Sequence, residues 1–275
     1  MSVLDADGTG DRAHTAAAPN SLRQLLAEGS LRGVVQVIPA VEVTEVLARS
    51  CADFVMLDGE HADFSPGSLG AYVRAAEHLG MPVLYRAESS LAPLGKALDS
   101  GVAGIVVPRV ESGAEARRVA RATRFAPLGA RGLGAGRASG HGSDMLGLLR
   151  TANDRVLVAV MIETTAGLEA LDEILAVDGI DLVFIGPTDL AASLGVQMGS
   201  DEHERAIERI VTATVRAGRF SGVHCSNEDQ ARRVEALGAR FLSIGLDSAL
   251  LAGAARALLG SEDRTYSPAE PGATY

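Results

Sequence analysis

From Gly33 onward, short runs rich in β-branched and other apolar residues alternate with stretches whose apolar positions recur at helical spacing. GVVQVIP (33–39), FVMLDGEH (54–61), PVLYRA (82–87) and GIVVPRV (104–110) form four strand-like runs, with VTEVLARS and SLGAYVRAAEHLG among the helical stretches between them. After a longer interruption come VLVAVMIE (156–163), LVFIGPTD (182–189), FSGVHC (220–225) and FLSIGLD (241–247), again with helical pattern between and after them. Runs that are apolar at nearly every position imply a sheet buried on both faces. Repeated strand-helix order requires parallel pairing through crossover helices. Eight such units in about 230 residues fit an α/β chain folded as a (β/α)8 TIM barrel better than two doubly wound domains.

No compositional break divides this region, so residues 20–260 read as one barrel domain. Residues 1–19, rich in Gly, Asp, Thr and Ala, predict a disordered or loosely docked arm, and 261–275, with Pro268, Pro271 and Gly272, a flexible tail. The interruption, Ala126 to Asn153, is glycine-rich and ends in a short helical pattern, MLGLLRTAN; a loop of this length is usually functional or at an interface.

Composition narrows the partners. The net charge is −10 with scattered Lys and Arg, which disfavours nucleic acid and anionic membrane and leaves small molecules. Mean hydropathy is +0.16, yet no apolar run approaches a membrane span, and the first 20 residues carry no secretory pattern; a soluble, cytoplasmic protein is expected. Cys51 and Cys225 lack metal-type spacing and are expected to be buried free thiols. There is no GxGxxG followed by an acid, no Walker lysine and no Cys/His cluster. The one lysine, Lys96, falls within a helix, which disfavours a Schiff-base mechanism.

In a (β/α)8 barrel the chemistry sits at the carboxyl ends of the strands. Those positions here hold Asp58, Gly59, Glu60 and His61; Arg86 and Glu88; Arg109; Glu163; Gly186, Pro187, Thr188 and Asp189; His224; and Asp247. Glu163 and Asp189 end consecutive strands, and two such carboxylates suit a hard divalent cation that retains waters for substrate to displace. The same two acids would serve equally as helix caps or arginine partners. Asp58 three residues before His61 suggests a carboxylate-oriented imidazole acting as a base, with structural roles open to both. Arg86 could stabilise an oxyanion or pair with an acid, and Gly186-Pro187-Thr188-Asp189 could offer backbone N–H groups to a carboxylate or simply make a turn.

Taken together, FVMLDGEHADFSPGSL, PVLYRAE, the segment from LDSGVAGIVVPRV through GARGLG, MIETTAGLEALDEILAVDGIDLVFIGPTDLAASLG and LGARFLSIGLDSALL resemble the HpcH/HpaI family of metal-dependent class II pyruvate aldolases, in one register from about Leu22 to Leu259. The resemblance implies a barrel of the phosphoenolpyruvate/pyruvate-binding type. It implies a divalent cofactor (Mg²⁺, Mn²⁺ or Co²⁺) on Glu163 and Asp189, a His61–Asp58 dyad, an enolate-binding Arg86, and a 2-oxo acid carboxylate held near Thr188 and Asp189. It also implies a homo-oligomer, a hexamer or trimer of dimers with exchanged last helices, and cleavage or formation of a 4-hydroxy-2-oxo acid to or from an aldehyde. Two departures stand out: Met161 occupies the place of a family Gln, and Val35 that of a family Trp, both expected at the substrate end. They leave open another use of the same enolate, such as oxaloacetate decarboxylation, and a non-enzymatic binding or assembly role.

Overall fold

The computed structural model describes residues 21–88 and 90–260; the expected N-terminal arm and C-terminal tail lie outside the described residues. A short helix, α1 (Leu22–Glu28), precedes the first strand. Four strand-helix units follow: β1 (Leu31–Gln36) and α2 (Val41–Ala48), β2 (Phe54–Asp58) and α3 (Leu69–Glu77), β3 (Val83–Arg86) and α4 (Leu94–Asp99), β4 (Gly104–Val107) and α5 (Gly113–Thr123). Helix α6 (Met145–Arg155) fills the end of the interruption. The second half runs β5 (Leu157–Ile162), α7 (Thr165–Glu169) and α8 (Leu171–Leu175), then β6 (Leu182–Ile185), α9 (Pro187–Leu194) and α10 (Asp201–Arg216). It ends with β7 (Phe220–Cys225), α11 (Glu228–Ala236), β8 (Phe241–Leu246) and α12 (Asp247–Leu259). All eight strands pair in parallel with their sequence neighbours, and β8 returns to β1, closing the barrel.

The alternation along each strand sorts the core into two bodies. Val55, Leu57, Val83, Tyr85, Ile105, Val107, Val158 and Val160 pack outward with the helices. Phe54, Met56, Leu84, Val106, Leu157, Ala159, Met161, Leu182, Phe184 and Phe241 fill the interior, and α1 closes its base with Leu22 and Leu26. With no tryptophan in the chain, phenylalanines plug the barrel: Phe54 stacks on Phe241 at 4.1 Å between centroids, and Phe184 meets Phe241 edge-on at 5.7 Å. Gly33 makes room for them, because a Cβ there would come within 2.5 Å of the Phe54 ring.

Outside the barrel, Arg124 is the largest fully buried side chain. It donates to the carbonyls of Gly179 (2.9 Å), Asn153 (2.8 Å) and Val156 (2.9 Å) and pairs with Asp181, tying the end of α5 to α6 and to the starts of β5 and β6. The glycine-rich interruption lies against the strands' amino ends, where Arg131, Arg137 and α6 line a cavity of about 1080 Å³ together with α1. This loop therefore stands at the opposite end from the strand-end acids. Helix α12 departs from the pattern: beyond Asp247 and Ser248 it is exposed along its length, Leu250, Leu251, Leu258 and Leu259 included. Among the described residues no helix is long and apolar enough to cross a membrane. Cys225 is a buried free thiol as expected, whereas Cys51, expected to be buried, is exposed.

Candidate active site

The carboxyl end of the barrel gathers its polar groups by strand register. Asp58 ends β2 and Arg86 ends β3 as direct cross-strand partners. Arg86 donates from Nε to Asp58 Oδ1 (2.9 Å) and from Nη2 to Oδ2 (2.7 Å), a bidentate pair in which Asp58 is only 2% exposed. Asp58 Oδ1 also accepts the backbone N–H groups of Glu60 (3.1 Å) and His61 (3.2 Å), which folds the strand end back into a turn. Burial pushes the Asp58 carboxyl up, but the hydrogen bonds and charge of Arg86 outweigh it and hold the group below its ordinary value. Burial works against the Arg86 charge as well, and the same partner raises its affinity for the proton instead.

The His61–Asp58 dyad takes a different form from the one expected. Asp58 spends its oxygens on Arg86 and on backbone, leaving none within hydrogen-bond reach of the imidazole ring. That ring is 63% exposed at the mouth, and its nearest acid is Glu60, 3.6 Å from Nε2. Glu60 also lies 3.6 Å from Arg86 Nε, and burial raises its carboxyl more than Arg86 lowers it. Glu60 was legible only as one more strand-end acid; its inward position follows from the Asp58 turn, which no spacing rule encodes.

Glu163 follows β5 and is 3% exposed. Its Oε1 accepts the Arg109 backbone N–H at 2.7 Å, and that amide is aimed by a left-handed conformation, φ 53°, at a non-glycine residue. Burial, with the charges of Glu60 and Asp189 adding to it, pushes the Glu163 carboxyl up to about 7 despite the Arg109 amide and Arg86. Next to it Gly186 leaves a notch: a Cβ there would stand 2.6 Å from Glu163 Oε2 and 3.2 Å from Met161 Cε. Pro187 opens α9 at its first turn, and Thr188 and Asp189 are exposed there. The carbonyl of Pro187 is fixed from behind by His203 of α10, whose Nδ1 accepts the Gly199 N–H (3.0 Å), so that Nε2–H donates to the carbonyl at 2.8 Å. His203 reads in sequence as an ordinary helix residue, because its partner is a backbone oxygen.

One cavity of about 160 Å³ joins these groups. Its lining comprises the polar mouth residues His61, Arg86, Gly186, Pro187, Thr188, Asp189 and His224 together with the apolar Val35, Met56, Met161, Phe184 and Leu246. Both departures from the family pattern, Met161 and Val35, thus face the cavity. Asp247, also at a strand end, points away into structure, accepting the N–H groups of Val37 (2.9 Å) and Ile38 (3.0 Å). Among the described residues no three His, Cys, Asp or Glu side chains converge as a ready metal cage. The donor set is two carboxylates, Glu163 and Asp189, with Glu60 near. A carboxyl raised by burial, with further acids beside it, is favoured as an anion by a bound cation, and hard oxygen donors beside an open notch fit Mg²⁺, Mn²⁺ or Co²⁺.

The description of one protein-family model, HpcH/HpaI aldolase/citrate lyase, matches residues 40–254. The chain is 40% identical over 250 residues to a hydroxypyruvate/pyruvate aldolase of Roseovarius nubinhibens, covering 88% of this chain and 96% of that one. It is 35% identical over 233 residues to a 4-hydroxy-2-oxo-heptane-1,7-dioate aldolase of Escherichia coli, covering 83% and 88%. A solved structure of a protein from Burkholderia cenocepacia, described with the same family name, superposes with a TM-score of 0.82 at 30% identity over 87% of this chain and 98% of that one.

Proposed function

Because the chain belongs to the HpcH/HpaI aldolase/citrate lyase family, we propose that it is a carbon-carbon lyase that breaks or forms the C3–C4 bond of a 4-hydroxy-2-oxo acid through a pyruvate-type enolate. The observation that carries the reading is the convergence of Arg86 and Asp189 on one cavity with Glu163 buried beside its Gly186 notch.

In the cleavage direction His61, at the mouth beside Glu60, takes the C4 hydroxyl proton through water. The C3–C4 electron pair passes into the enolate and an aldehyde leaves. Arg86 faces the developing enolate oxygen with its charge, and the bidentate pair with Asp58 fixes the orientation of the guanidinium plane. The first turn of α9, stiffened by Pro187 and by His203 behind it, offers N–H groups at Thr188 and Asp189 to the substrate carboxylate. Glu163 and Asp189 would hold a divalent cation, which when bound supplies Lewis-acid stabilisation for the keto and carboxylate oxygens. Protonation at C3 then yields pyruvate or its substituted equivalent.

The exposed leucines of α12 support a homo-oligomer in which this helix packs on a neighbouring copy, and a cytoplasmic setting agrees with the composition. Asp189→Ala or Glu163→Ala is expected to abolish Mn²⁺-dependent aldehyde release from 4-hydroxy-2-oxo acids, as is chelation of the wild-type protein. Wild-type rates in both variants, or in chelated protein, would sink the proposal.

A further inference from the structure

Among the side chains that line the cavity, the His224 imidazole has no part in the reading above. His224 lies near the carboxyl end of β7, and its ring enters the cavity from between Gly186 of the preceding β6 loop and Leu246 of β8. Nδ1 sits 2.8 Å from the hydroxyl of Ser243, its cross-strand partner on β8, and Ser243 is fully buried. That hydrogen bond fixes the ring plane and leaves Nε2 as the nitrogen available to a bound molecule. The apolar part of the same lining, Val35, Met56, Met161, Phe184 and Leu246, offers no hydrogen-bond donor.

Burial, and then the charge of Arg86, lowers the proton affinity of His224. The imidazole is therefore neutral near pH 7, able to hydrogen-bond an uncharged oxygen without adding a second cation beside Arg86. The enolate-forming half of the substrate is accounted for by Arg86, Glu163 and the α9 turn. What remains is the electrophile, whose carbonyl becomes the C4 hydroxyl. Met161, at the position on β5 facing this space, is a thioether and a poor partner for such an oxygen.

We propose that His224 is the residue that holds and orients the oxygen of the aldehyde partner, through Nε2, and so sets specificity for the electrophile while leaving enolate formation alone. This rests on the aldolase reading above. It places polar recognition of the second substrate on β7, where Ser243 can back the ring, and predicts small, polar aldehydes over long apolar ones, because a cavity of about 160 Å³ has to take both halves of the substrate.

Two reactions of the Mn²⁺-supplemented full-length enzyme separate the halves. Deuterium exchange into the pyruvate methyl group in D₂O, read by proton NMR, needs only enolate formation. Aldol addition of pyruvate to the best accepted of formaldehyde, glycolaldehyde and propanal needs both halves. His224→Leu is expected to lower kcat/KM for the aldehyde on the order of 10²-fold, with methyl exchange within twofold of wild type. His224→Gln, which keeps a donor near the same place, is expected to recover at least a tenth of the lost efficiency. Addition by His224→Leu within about threefold of wild type overturns the assignment. So does a parallel loss of exchange and addition in folded protein, which marks a purely structural histidine. Wild-type enzyme that neither exchanges nor adds removes the aldolase reading itself, an outcome distinct from both.

Discussion

Glu163 is the site acid whose state burial perturbs strongly, and its perturbation can be measured as stability. Its carboxyl is carried from 4.5 up to about 7 by burial among other acids. The folded protein without cation therefore binds a proton there that the unfolded chain releases between those two values. More protons bound in the native state means that stability falls as pH rises: the contribution is fully present below 4.5 and is lost as pH climbs through 7. The difference of about 2.5, at about 1.36 kcal/mol per tenfold change in proton affinity, amounts to about 3 kcal/mol. Glu163→Gln mimics the protonated acid, keeps an acceptor for the Arg109 amide and cannot ionise. In chelator-treated protein at equal concentrations, urea unfolding should place wild type and variant within about 1 kcal/mol at pH 5 and the variant ahead by about 3 kcal/mol at pH 8. Adding Mn²⁺ at pH 8 should raise the wild type and leave the variant nearly unmoved. A wild-type-to-variant difference that stays constant from pH 5 to pH 8 would refute the account of Glu163 as a buried acid awaiting a cation.

Two further consequences concern residues away from the reacting atoms. Arg124→Met removes the donor shared by Gly179, Asn153, Val156 and Asp181 and leaves the buried Asp181 carboxylate with only the half-exposed Arg23, 3.4 Å away, and the Val158 N–H, so a loss of about 3 kcal/mol is expected in urea unfolding; a loss under 1 kcal/mol would show that the hub contributes little. Arg109→Gly relieves a left-handed backbone that disfavours side chains and keeps the amide on Glu163, so the protein should gain about 1 kcal/mol while retaining Mn²⁺-dependent activity. Loss of activity alongside that gain would assign the Arg109 side chain a direct role.

The barrel was legible because its strands are buried on both faces and read as apolar runs, and because every run after the first ends in polar residues of the kind a barrel mouth collects. The eight runs became eight parallel strands in sequence order. The site residues were legible by position, yet their pairing was not. Asp58 stood three residues from His61 and was read as its partner, but the strand register sets it opposite Arg86, and a bidentate guanidinium outcompetes an exposed imidazole for both oxygens. The Arg109 amide and His203 escape for a common reason: their contacts run through backbone groups, which carry no residue-type signature, whereas Glu60 is visible as a strand-end acid without its partners Arg86 and His61. The short helix α1, which plugs the barrel base, and the exposure of Cys51 likewise depend on how the ends of the structure meet rather than on periodicity.

The bond that steadies Glu163 comes from a main-chain amide. Every amino acid except proline carries that donor, so substitutions at position 109 can alter the exposed rim of the mouth while the anchor beneath it persists. Surface and anchor are thereby uncoupled at one residue: the exposed side chain at 109 can change, at the cost of the left-handed backbone alone, without removing the hydrogen bond to Glu163. A saturation library at Arg109 would consequently vary the surface beside the candidate site while keeping the Glu163 anchor in every variant but proline.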